Sequence, residues 1–79
     1  MYPISTPQQL GAVLQGFRKD RQLTQAQVGA RVGLLQKEVS KLEQDASRAS
    51  LARVFKLLAA LELEIVVQAR QLAGNRSEW

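Results

Sequence analysis

The chain contains no cysteine and no histidine among its 79 residues. Without cysteine there is no disulfide staple and no thiolate metal site. Without histidine it lacks the usual general base and the commonest zinc ligand. Aromatic residues are scarce, with one Trp, one Tyr and two Phe. That leaves no cluster on which unpaired RNA bases would stack. No apolar run approaches the 18 or more residues of a membrane span. The first residues, Met1 to Thr6, have neither a basic start nor an apolar stretch. A secretory signal is therefore not expected, and a cytoplasmic location is. No constellation for catalysis is visible, so the expectation is a non-enzyme with no metal, no cofactor, no membrane partner and no small-molecule substrate.

What the chain does have is a cationic surplus, 11 Lys and Arg against 7 Asp and Glu. A net charge of +4 suits a polyanionic partner, and it also serves plain solubility. The length implies one domain, 1–79. A chain this short buries only about 60% of its unfolded surface, which favours oligomerisation.

The order of residues predicts a mainly α protein of four to five helices. Thr6, Pro7 and Gln9 make a capping box with proline at the first helical position. Leu10, Val13, Leu14 and Phe17 follow on one apolar face, and Arg18 and Lys19 suit the negative end of that helix. Thr24 and Gln27 form a second capping box, opening a short helix that Gly33 stops. A third short helix is expected from Leu35 or Gln36 to Glu43 or Gln44, and Ser50 caps a fourth after a polar loop. Val28, Val32, Val39, Leu42, Leu51, Val54, Phe55 and Leu58 are the expected core.

After Leu61 the period changes to two, with Leu63, Ile65 and Val67 alternating with Glu64, Val66 and Gln68. Residues 62–70 are expected to form one β-strand, the alternative being an extension of the fourth helix. A single strand leaves its backbone groups unpaired, and the same strand of a second copy is the simplest partner. Leu63, Ile65, Val66 and Val67 are thus the expected dimerisation residues, between a helical core at 6–61 and a flexible tail at 71–79.

Two short helices with a glycine between them allow the second to lie in a DNA major groove while the first crosses the backbone. Gln25, at the start of the first of these, is placed to bind a phosphate or simply to be solvated. Gln36, Lys37, Ser40 and Lys41 lie on the outer side of the second. Gln suits adenine, and Lys suits guanine O6 and N7. Glu38 can accept from cytosine N4 or pair locally with Lys37 or Lys41. Arg18, Lys19, Arg31, Arg48 and Arg53 are open between phosphate contacts and ordinary surface.

The run Leu23, Thr24, Gln25, with Val28, Ala30, Val32, Gly33, Gln36 and Val39 to Glu43, resembles the helix-turn-helix of phage-repressor-like (Cro/C1, XRE-type) regulators over about residues 8–61. The resemblance implies a lambda-repressor-like fold, with Ala30 in the tight contact between the two helices. Leu34 and Leu35 depart from it where Ser or Thr often caps the recognition helix, at a cost of about 1 kcal/mol. Gly29 departs where a better helix former is usual. Leu61 to Val67, with the final Glu78 and Trp79, resembles HipB-type antitoxins more narrowly. That resemblance implies a homodimer joined by a two-stranded ribbon, double-stranded operator DNA as ligand, repression of its own operon, and a HipA-type Ser/Thr kinase toxin as partner. Trp79 is the residue it implies for toxin contact, a chance terminal Trp being the alternative. A stand-alone XRE-type regulator and a protein-interaction module without DNA binding are the competing readings.

Overall fold

The computed structural model describes residues 2–70. Four α-helices follow in order: α1 (Pro7–Asp20), α2 (Gln25–Val32), α3 (Gln36–Gln44) and α4 (Leu51–Ala60), with a 3-10 turn at Ala46–Arg48 before α4. None of them is long and apolar enough to cross a membrane.

Local chemistry sets the helix starts. The Gln9 N–H donates to Thr6 Oγ1 at 3.0 Å, and Gln9 Oε1 accepts from the Thr6 N–H at 3.2 Å. Thr24 and Gln27 make the same reciprocal pair at 3.0 and 2.8 Å. Ser50 accepts from the Arg53 N–H at the start of α4. These bonds satisfy donors that a helix start otherwise leaves open.

Three of the four helix stops share one device, a left-handed residue just past the last turn, while α3 ends at Asp45 in extended backbone. The left-handed residue is Gln22 after α1 (φ 58°), Gly33 after α2 (φ 73°) and Glu62 after α4 (φ 59°). In each case the next N–H reaches five residues back: Leu23 to the Arg18 carbonyl, Leu34 to that of Gly29, Leu63 to that of Leu58. That is the Schellman closure, and only Gly33 adopts it without a side-chain penalty.

The stop at Glu62 excludes the alternative in which residues 62–70 prolong α4. The chain leaves the helix and runs on without forming a strand among the described residues. Leu63 packs against the core, while Ile65, Val66 and Val67 are exposed. The expected pairing of this segment with a second copy therefore remains a proposal. Trp79 and the expected tail at 71–79 lie outside the described residues.

Leu14, Val28, Leu34, Val39, Leu42, Val54, Leu57, Leu58 and Leu61 form the core, with Ala46 and Ala60. Two expected core residues are not in it: Leu51 is 68% and Phe55 49% exposed. The reason is that α4 is apolar nearly all round. One chain has only one side of packing to offer, and Val54, Leu57, Leu58 and Leu61 take it at i, i+3, i+4 and i+7 spacing. Val32 is only partly buried against the same cluster.

Gly29 is also explained. A Cβ there would meet the Leu34 carbonyl oxygen at 2.4 Å, so the turn into α3 folds over a position that only glycine can fill. The tight contact between α2 and α3 thus sits at Gly29. Ala30, the expected residue, is exposed.

Candidate nucleic-acid interface

The candidate surface is α3 as the α2–α3 turn presents it. Val39 and Leu42 anchor the helix in the core, and Gln36, Lys37 and Lys41 stand in solvent, with Ser40 and Glu38 half-buried beside them. Lys37 and Lys41 form no ion pair among the described residues. Gln36, Lys37 and Lys41 thus share the outward surface of α3, with Ser40 half-buried beside them, while Glu38 is turned to Arg53 on α4.

Behind them lies a hydrogen-bonded chain that joins three helices. Arg18, 8% exposed on α1, donates from Nε to Glu43 Oε2 at 2.6 Å and from Nη2 to Glu43 Oε1 at 3.1 Å. Its Nη1 donates to the Leu23 carbonyl at 2.8 Å. Glu43, 5% exposed on α3, uses Oε1 again to accept from Gln25 Nε2 at 2.9 Å. Gln25 Oε1 in turn accepts from Gln36 Nε2 at 2.6 Å. Such a paired, fork-shaped guanidinium–carboxylate contact is among the stronger polar contacts, because both charges are satisfied where water is scarce.

This arrangement removes Arg18 from the cations available for phosphate, since its guanidinium is committed inside the molecule. Gln25, half-buried at the start of α2, is neither simply solvated nor free. Its amide bridges the ion pair to Gln36. Glu43 is the residue that reading by residue type missed. A carboxylate at an inward position of α3, i+4 from Val39, facing an arginine i+4 from Leu14, was its signal.

Glu38 finds neither Lys37 nor Lys41 as ion-pair partner. Its Oε1 accepts from the Leu35 N–H at 2.8 Å, and its Oε2 lies 3.0 Å from Arg53 Nε on α4. The Leu35 N–H chiefly holds the Glu38 carboxyl below its ordinary value. Desolvation opposes that, and the Arg53 charge assists it. The Leu35 side chain has no oxygen to accept a bond, so of the two side-chain cap bonds only this return one closes the start of α3. Arg31 is exposed and donates to the Ala60 carbonyl at 3.0 Å, where the end of α4 favours a cation. Lys19 and Arg48 are exposed.

On another part of the molecule, Leu51 and Ile65 line one apolar groove with Ile4 and Val54. Of the expected dimerisation residues, Leu63 is partly buried within the chain, whereas Val66 and Val67 are 68% and 92% exposed.

Comparison with known proteins gives a consistent result. A helix-turn-helix family model matches residues 14–68. No curated protein sequence matches the chain. Among solved structures, a "HipB-O4 20mer complex" is similar with TM-score 0.86 and 25% identity, covering 90% of this chain and 100% of that one. A "HipA-HipB-O2-O3 complex" gives the same four values. A HipB-O1-O2 complex is similar with TM-score 0.83 and 26% identity, over 87% of this chain and 100% of that one.

Proposed function

The chain belongs to the helix-turn-helix family, and from that premise we propose that it is a sequence-specific DNA-binding repressor, dimeric, serving as the antitoxin of a HipA-type Ser/Thr kinase. One observation carries the DNA part. The α3 surface presents Gln36, Lys37 and Lys41 outward, and Gln36 is already held by Gln25 rather than left to wander. A major groove about 12 Å wide accepts one such helix, and side chains held in advance lose less entropy on binding. Lys37 and Lys41 supply charge for phosphates or guanine edges, Ser40 a hydroxyl, and the start of α2 at Gln25 a further phosphate contact.

The dimer is supported by the apolar surface left over. Leu51 and Phe55 on α4 and Ile65, Val66 and Val67 beyond it are all exposed in one chain. Residues 63–70 form no strand among the described residues, and the proposed ribbon would form between two copies. Two α3 helices on a two-fold axis would meet two half-sites of a palindromic operator. The toxin part is supported by the likeness to structures whose names include HipA with HipB, and Trp79 is the proposed contact.

Gel-shift titration against operator DNA tests the reading. Gln36→Ala and Lys41→Ala should each weaken binding, and wild-type affinity should fall steeply with salt. Unchanged affinity in both variants would remove the recognition-helix assignment. Co-purification with a HipA-type kinase, lost on Trp79→Ala, separates an antitoxin from a stand-alone regulator.

A further inference from the structure

We infer that Glu43, buried and out of reach of any DNA, decides which hydrogen-bonding edge Gln36 turns toward a base, and is therefore a specificity-determining positioning residue. The inference rests on the proposed DNA-binding reading. It follows from donor and acceptor capacity alone. The carboxylate that pairs with Arg18 only accepts, at both oxygens. At 2.9 Å from it, the Gln25 amide must present its NH2, since its carbonyl there would set two acceptors face to face. With the NH2 turned inward, Gln25 Oε1 points to Gln36. An oxygen 2.6 Å from Gln36 requires the Gln36 NH2 in its turn. Two amides that are symmetric in shape are thus locked in one sense by one buried charge.

The consequence lies at the exposed end. Gln36 keeps its Oε1 and its second N–H for the groove, one acceptor beside one donor. Adenine offers the matching N6 donor and N7 acceptor, whereas guanine offers acceptors at both O6 and N7. Arg18 on α1 and Glu43 on α3 therefore act on base choice through Gln25 on α2, without touching the duplex.

Replacing the carboxylate by an amide releases the lock. In Glu43→Gln, a single side-chain oxygen is left for the N–H groups of Arg18 and Gln25, and in either orientation the new NH2 faces an Arg18 donor. Gln25 is then no longer held in one sense, and Gln36 can present either edge. The position then admits guanine beside adenine.

The test is binding of the full chain to a library of operators randomised at each position, with the Gln36-dependent position identified by Gln36→Ala. The wild type should prefer adenine there by roughly 5- to 150-fold, the range of one two-pronged contact. Glu43→Gln should admit guanine beside adenine at that position and leave the Lys41-dependent positions unchanged. Gln25→Leu leaves the ion pair intact and provides the second variant should Glu43→Gln fail to fold. It should erase the preference at the Gln36 position while the Lys41-dependent positions keep theirs. In parallel, the Gln36 side-chain amide ¹⁵N–¹H signals of the free protein should lose their protection in Gln25→Leu. Base profiles that superimpose on wild type in every variant that folds would overturn the relay. A wild type with no base preference at all would instead overturn the DNA-binding reading, and the relay with it.

Discussion

The α2–α3 face and the outer face of α4 are opposites in how far one chain completes them. On the first, the polar groups behind the surface are matched: Glu43 to Arg18, Gln25 to Glu43, Gln36 to Gln25, Glu38 to Arg53. On the second, Leu51, Phe55, Val66 and Val67 are exposed, and the backbone of 63–70 forms no strand among the described residues. A surface that must fit a rigid duplex gains from being set beforehand. A surface that another protein will cover can leave its burial to the encounter. Substitutions should accordingly damage the first face within the monomer and the second only through association.

The sharpest break in that contrast is Glu43→Ala. It strands Arg18 in the interior, and urea unfolding should show a loss of about 3–5 kcal/mol. Gly29→Ala comes next, because its Cβ would collide with the Leu34 carbonyl that shapes the turn into α3. A loss of about 1–3 kcal/mol and weaker operator binding are expected in the same titration and in gel shifts. On the other face, Val66→Pro should leave the helical circular dichroism of the monomer intact. It should weaken dimerisation about tenfold, or about 1.4 kcal/mol, in sedimentation equilibrium. An unchanged dimer there would show that residues 63–67 do not form the ribbon.

Leu35→Ser sharpens the comparison from the opposite direction. The α3 start has only half a cap, and Leu35 is exposed, so little burial is lost. A serine oxygen there should stabilise the chain by about 1 kcal/mol, visible as a raised Tm. The smallest effect is on pH. Glu38 and Asp45 both have carboxyls below their ordinary values, held chiefly by the backbone N–H groups of Leu35 and Ser47. A depressed carboxyl contributes stability that is full above its unfolded value and lost as pH falls through the folded one. Thermal melts should thus be flat in this contribution at neutral pH and decline modestly as pH falls below about 4.5. Asp45→Asn and Glu38→Gln should each flatten part of that decline.

Legibility in the sequence followed distance along the chain. Thr6 with Gln9 and Thr24 with Gln27 were readable because a cap is a bond between residues three apart. Gly33 was readable because a left-handed stop has a residue preference. Gln22 and Glu62 adopt the same conformation without that preference, and neither was foreseen. The outward position of Gln36, Lys37 and Lys41 on α3 is readable from register, with Val39 and Leu42 inward. Arg18 and Glu43, 25 residues apart, carried no mutual signal beyond their inward positions. Leu51 and Phe55 misled because hydrophobicity states a need for burial without saying which molecule supplies it.

Sequence by itself determined where the helices begin, where α2 stops, and which side of α3 faces out. Those features depend on contacts within a turn or on the 3.6-residue repeat. Only the tertiary structure decided which charges are sealed inside, why position 29 is glycine, and which side of α4 is left uncovered. Each of these depends on what a distant segment brings within bonding distance, and chain order alone does not specify that.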